Sequence, residues 1–207
     1  MRLFPLGGRL WHKNGVTSPS PPRSRVRRVP RALDEATLQE LALRYAGKYA
    51  TTRAKLRGYL SRKLRERGWD GAGEPQVDAL ANRFAELGYI DDAAYALSQS
   101  RSLTTRGYGK RRVADKLRLA GIDESDGAAA HALADEEAVN AALRFAERRR
   151  LGPYASAPAE WPQREKWIAA MVRAGHPFSL ARAIAGMAPG KEFNQDQLSE
   201  FARVADD

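Results

Sequence analysis

Three times along the chain, two apolar residues four apart lead, after four more positions, to a glycine. The sets are Leu60, Leu64 and Gly68; Val113, Leu117 and Gly121; and Trp167, Met171 and Gly175. Residues four apart share one face of a helix. A glycine just past the last turn ends a helix readily, because it enters the left-handed region without a Cβ clash. The glycines are 53 and 54 residues apart. A fixed period of this length marks a repeat array, in which each unit buries its apolar faces against its neighbours. The pattern predicts an all-α fold: tandem repeats of short three-helix units forming an elongated right-angled or curved array.

The segments between the anchors fill in the units. Asp34 is a good N-cap, and Leu38, Leu41, Ala42 and Tyr45 follow at helix-face spacing. Thr51-Thr52 breaks the chain before the stripe Leu56, Tyr59, Leu60 and Leu64. Pro75 fits the first turn of a third helix with Val77, Leu80, Ala81, Phe84 and Leu87 as its apolar face. Asp91 or Asp92 caps a fourth helix carrying Ala94, Tyr95 and Leu97. The Arg106-Gly107-Tyr108-Gly109 turn leads into a fifth, through Val113 and Leu117. Further helices are expected near 124–133, 136–149, 161–174 and 179–187, with a weak one near 195–204. Phe178-Ser179 reads as a staple and N-cap, matching Ile122-Asp123 one unit earlier. The units run approximately 34–89, 90–134 and 135–187, giving a helical domain over 34–187.

Several chemistries are disfavoured. Cysteine is absent, which removes disulfides, thiolate metal sites and cysteine nucleophiles, and suits a reducing compartment. The histidines, His12, His131 and His176, are far apart and have no ligand-spaced neighbours. No stretch approaches the ~18 apolar residues of a membrane span. Gly107-Tyr108-Gly109-Lys110 lacks the glycine spacing and the following Ser or Thr of a phosphate loop, so it reads as a helix-entry turn. One of the paired acids Asp91-Asp92 suffices as a cap. No catalytic constellation, metal site or cofactor motif emerges, so no enzyme and no cofactor are expected.

Charge is unevenly placed. The net charge is +10, and eight of the basic residues fall in 1–33, which holds no acid and five of the eleven prolines. Such a segment buries too little apolar surface to offset its ordering entropy. Residues 1–33 read as a disordered basic arm, with Arg23, Arg25, Arg27, Arg28 and Arg31 as non-specific phosphate contacts. A passive leader and an organelle transit peptide are the alternatives. Residues 44–67 hold nine basic side chains against Glu66, and 101–118 hold seven against Asp115. Too few acids lie within these runs to neutralise them by i,i+4 pairing. With the apolar stripes inward, Lys55, Arg57, Arg62, Arg65, Arg106, Lys110, Arg111, Arg112, Lys116 and Arg118 become candidates for an anionic partner, against the bland alternative of a solvated face. Aligning the units on their glycines pairs Lys63 with Lys116 and Arg65 with Arg118; the third unit has Ala170 and Val172 there. Residues 188–207 read as an acidic C-terminal tail.

The string Leu87-Gly88-Tyr89-Ile90-Asp91-Asp92, followed by Tyr95-Ala96, Arg101, Gly107, Gly109, Leu117 and Gly121-Ile122, resembles the RecX family of recombination regulators. The helix from Arg53 through Gly68-Trp69 and the segment His176-Pro177-Phe178-Ser179 with Ile184 fit the same template. The resemblance covers about 34–187. It implies tandem three-helix repeats and a non-enzymatic protein, expected as a cytoplasmic monomer, active in DNA repair, recombination and the SOS response. It also implies a partner, the RecA recombinase filament, whose strand exchange and ATP hydrolysis such proteins usually restrain. Single- or double-stranded DNA is a second candidate partner, and a nucleic-acid-binding module with no recombinase partner is the alternative function.

Overall fold

The middle helices of the second and third units each end against the start of the middle helix one unit before. The structure, a computed structural model, describes residues 31–192 and 194–203. The first unit holds α1 (Glu35–Lys48), α2 (Arg53–Arg67) and α3 (Val77–Glu86). The second holds α4 (Asp92–Thr105), α5 (Lys110–Ala120) and α6 (Glu124–Glu136). The third holds α7 (Ala138–Arg149), α8 (Trp161–Arg173) and α9 (Phe178–Ala185), and α10 (Gln195–Arg203) follows. The fold is all-α, with one isolated bridge between Leu33 and Trp69 among the described residues.

Gly68, Gly121 and Gly175 all have positive φ, at 81°, 70° and 94°. Two of them have a second reason to lack a Cβ. At Gly121 a Cβ would stand 2.3 Å from the Cβ of Ala54 at the start of α2. At Gly175 it would stand 2.5 Å from the backbone nitrogen of Arg112 in the first turn of α5. These close approaches join the units. The Thr52 hydroxyl donates to the Ala120 carbonyl at 2.7 Å. One unit later the Gly109 N–H donates to Ala174 O at 3.0 Å and the Arg111 N–H to Gly175 O at 3.1 Å. The orphan carbonyls at the end of one middle helix thus meet donors from the start of the preceding one, with the helix dipoles head to tail.

Three apolar clusters match the three units. Leu38, Leu56, Leu60 and Phe84 centre the first; Leu103, Val113 and Leu117 the second; Leu143, Phe145, Met171, Leu180 and Ile184 the third. Burial of this kind contributes roughly 25 cal/mol per Å² of apolar surface.

The structure corrects several sequence expectations. Leu33, placed at the end of the arm, is fully buried in the first cluster. Its N–H donates to Gly68 O at 3.0 Å and its carbonyl accepts from Asp70 N–H at 2.8 Å. The chain's contact boundary falls between Pro30 and Arg31. Local sequence hid this because Leu33 is one apolar residue whose hydrogen-bond partners, Gly68 and Asp70, lie beyond two intervening helices. At the other end, Leu198 and Ala202 of α10 are buried in the third cluster, so 195–203 packs as part of the helical fold rather than as a tail. The inner face of α4 is not Ala94, Tyr95 and Leu97. It is Ala96, Ser100, Leu103 and Thr104 with Asp92. Small residues let α6 approach closely, and the Ser100 hydroxyl is satisfied by the Ala130 carbonyl at 2.7 Å. Leu87 is half exposed rather than core. Ser179 is not an N-cap: α9 starts one residue earlier after Pro177, and the Ser179 hydroxyl donates to Phe201 O at 2.7 Å.

Candidate functional site

The ten candidate cations of the helical domain divide by what they touch. Lys55 lies over the Tyr95 ring, 4.2 Å from its centroid, and also donates to its hydroxyl. Arg57 faces Asp78 of α3 at 3.5 Å, and Lys110 faces Asp135 of α6 at 3.2 Å. Arg62 reaches Glu66 at 3.7 Å, and Arg118 reaches Asp115 at 2.8 Å. Arg106 donates to Ser102 O at 3.1 Å and lies over the Tyr108 ring. Arg111 is exposed on α5. Arg65, Arg112 and Lys116 are exposed and form no ion pair among the described residues.

Within the two runs Glu66 and Asp115 remain the only acids, but pairing inside each run left out partners on other helices. Asp78 and Asp135 come from neighbouring helices, where the sequence distance hid them. Within α2, Glu66 serves both Arg62 and Lys63, and these cations hold its carboxyl below the usual range. All these pairs are solvent-exposed and worth at most about 1 kcal/mol each, so an incoming anion can replace them at little cost. Of the arm residues, Arg23, Arg25, Arg27 and Arg28 lie outside the described residues. Arg31 lies inside them, exposed, and its carbonyl accepts from Arg67 Nε at 2.8 Å.

One cation absent from the candidate set has a structural task. Arg53 Nε donates to Asp92 Oδ2 at 2.9 Å, and its backbone N–H donates to Asp92 Oδ1 at 3.0 Å. Its Nη2 also reaches Asp126 at 2.5 Å and Asp123 at 3.3 Å. This guanidinium ties the start of α2 to the starts of α4 and α6, and Asp92 is only 6% exposed. Asp91 is the cap, accepting from Ala94 N–H at 2.7 Å. The adjacent acids thus do two different jobs. The sequence signal was the base-free acidic run at 123–137, whose cation lies 70 residues or more away.

His131 is exposed and His176 is fully buried. Among the described residues no group of three or more His, Asp or Glu side chains converges as a metal site. No helix among them is long and apolar enough to cross a membrane.

Comparison with known proteins bears on what these helices are for. The family model "RecX, second three-helix domain" matches residues 91–130, the stretch that carries α4, α5 and most of α6. The regulatory protein RecX of Myxococcus xanthus is 30% identical over 177 residues, covering 80% of this chain and 93% of that protein. The chain belongs to the RecX family. The regulatory protein RecX of Agrobacterium fabrum is 32% identical over 153 residues, covering 72% of this chain and 80% of its own. The crystal structure of RecX from Lactobacillus salivarius superimposes with a TM-score of 0.52 at 21% identity, over 72% of this chain and 92% of that one. This last likeness concerns the fold alone. RecX membership accounts for the tandem three-helix units and their glycine-marked junctions.

Proposed function

We propose that this RecX-family protein is a non-enzymatic regulator of homologous recombination that binds the RecA nucleoprotein filament and restrains its strand exchange and ATP hydrolysis. The observation that carries the proposal is the recurrence of outward cations on two successive middle helices. Arg65 on α2 and Arg112 and Lys116 on α5 project into solvent without an internal ion pair, beside the weakly paired Arg62 and Arg118. The filament partner comes from the family resemblance. Successive units with like-charged faces suit a polymer, because many weak contacts made at once add up to tight binding. Monomeric, cytoplasmic action is part of the same proposal.

The test is co-sedimentation with RecA filaments of the wild type and of the pair Arg65→Glu and Lys116→Glu. Both positions are exposed, where substitutions usually change stability by no more than about 0.5 kcal/mol. The expected result is a melting curve like wild type and filament binding weakened about ten-fold or more. A folded pair that sediments with filaments as the wild type does removes these helices from the interface.

A further inference from the structure

Five of the chain's seven tyrosines line two adjoining grooves in the first unit and its junction with the second. Over α1 and α2, Tyr45 and Tyr59 stack at 4.3 Å with 12° between their planes. Tyr49 tilts against Tyr45 at 5.4 Å. A groove of about 410 Å³ lies along these three rings. A second, of about 400 Å³, runs from Tyr49 to Tyr89 and Tyr95 at the start of α4. The two share Tyr49 and Lys48, so the rings form one continuous track. Tyr49 and Tyr89 are 50% and 54% exposed, which is far from the burial of a core aromatic.

Cations interleave with the rings. Lys48 Nζ stands 5.3 Å from the Tyr49 centroid, and the Arg62 guanidinium stands 5.6 Å from that of Tyr59. Arg44 lines the first groove, held by an exposed pair with Glu40 at 2.6 Å. Asp91 is the one carboxylate lining either groove, and it is already engaged in capping α4. Thr51 lines the second groove and is 6% exposed; its hydroxyl oxygen has no hydrogen-bond partner among the described residues.

Half-exposed rings alternating with cations match the chemistry of unpaired nucleotides. Every base offers a π-face for stacking, and every linkage offers a phosphate. A duplex hides its base faces and would leave the rings unused. We infer that this tyrosine track binds single-stranded nucleic acid, with bases stacking on Tyr49 and Tyr89 and phosphates meeting Lys48, Arg44 and Arg62. This activity is additional to filament binding and does not depend on it. It is also distinct from charge-only contacts of the basic helices, because it needs base faces.

The experiment uses the full chain and fluorescence anisotropy with three probes of equal length, roughly 15 nucleotides. They are an oligothymidylate, the same backbone with abasic sites, and a duplex. Replacing both tyrosines, Tyr49→Ala with Tyr89→Ala, should weaken oligothymidylate binding at least about ten-fold, given the usual worth of a stacked base. Abasic and duplex binding should be unchanged, and the pair Tyr49→Phe with Tyr89→Phe should bind oligothymidylate as the wild type does. Equal binding by the alanine pair, or an equal loss on all three probes, overturns the inference. So does an alanine pair that keeps oligothymidylate binding but loses DNA-free capture of RecA, which would make the track a protein-docking surface. If the alanine pair melts early, photocrosslinking of the wild type to an oligonucleotide carrying 5-iodouracil decides. Adducts at Tyr49 or Tyr89 support the track, and adducts confined to other residues overturn it. DNA-free RecA capture by the wild type tests the regulatory proposal separately.

Discussion

His176 is where a single residue carries the most structure. It is fully buried at the junction of α8 and α5, its Nε2 is 3.1 Å from the Gly107 carbonyl, and its ring meets Phe145 edge-on at 5.6 Å. The contact with a carbonyl makes Nε2 the donor, and burial keeps the ring neutral. That burial pushes its pKa down to about 4, opposed by the Gly107 hydrogen bond. The unfolded chain therefore takes up a proton on this residue at a higher pH than the folded one. The stability it protects is fully present above about pH 6.5 and is lost as pH falls toward 4, by up to about 3 kcal/mol. Melting temperatures measured across this window should fall for the wild type. The variant His176→Gln, which keeps a donor for Gly107, should lose much of that slope. Parallel curves for the two proteins would show that the imidazole does not resist protonation. Arg53 is the polar counterpart: removing it would strand the buried Asp92 carboxylate, a situation that typically costs about 3–5 kcal/mol.

At the scale of elements, the junctions decide the fold. Gly68 and Gly121 both hold positive φ, so alanine strains the backbone at either position. Only at Gly121 does the added Cβ also strike a neighbour, Ala54 of α2, whereas the space at Gly68 is open. At Gly121, whose left-handed backbone (φ 70°, ψ 31°) alanine can adopt, the clash with Ala54 should add roughly 1–3 kcal/mol to the modest backbone strain, the usual toll of overpacking. Ala54→Gly should remove most of that added cost in the double variant, even though glycine is a poorer helix former. Chemical denaturation of the four proteins measures the coupling. Additive losses would mean that α5 and α2 do not meet as closely as the structure has them.

At the scale of the whole molecule, the helical array takes in residues ahead of its first helix. The junction logic continues to its first end: the carbonyl of Gly68, closing α2, is met by Leu33 N–H, just as Ala174 O is met by Gly109 N–H. Deleting residues 1–30 should leave the melting transition near that of the full chain. Deleting 1–33 removes a fully buried leucine and two backbone hydrogen bonds, and should cost roughly 2–5 kcal/mol more. The same truncation at 30 removes seven cations and no acid. If half of them engage phosphates, the slope of log affinity for DNA against log salt should flatten by roughly three units. Superimposable slopes would make that segment a passive leader.

The sequence by itself determined the helical class, the period and the family, because these rest on local patterns. Apolar residues four apart and a terminal glycine act within one helix, and the string from Leu87 to Ile122 is read in order. It also placed Lys55, Arg57, Arg62 and Arg65 on α2 and Lys110, Arg111, Arg112, Lys116 and Arg118 on α5, with Arg106 in the turn between α4 and α5. Tertiary structure alone decided what each of them faces. Asp78 and Asp135 reach Arg57 and Lys110 from other helices, and Arg53 finds Asp123 and Asp126 70 and 73 residues away. The inner face of α4 was illegible because its burial comes from small and hydroxyl-bearing residues whose partner carbonyl lies on α6. The tyrosine track was illegible for the same reason. Tyr45 and Tyr59 read as separate helix-face residues, and only the packing of α1 on α2 and the start of α4 sets them in line with Tyr49, Tyr89 and Tyr95. Helix propensity and periodicity act over a few residues, whereas charge pairing, close packing and surface shape depend on which distant segments the fold brings together.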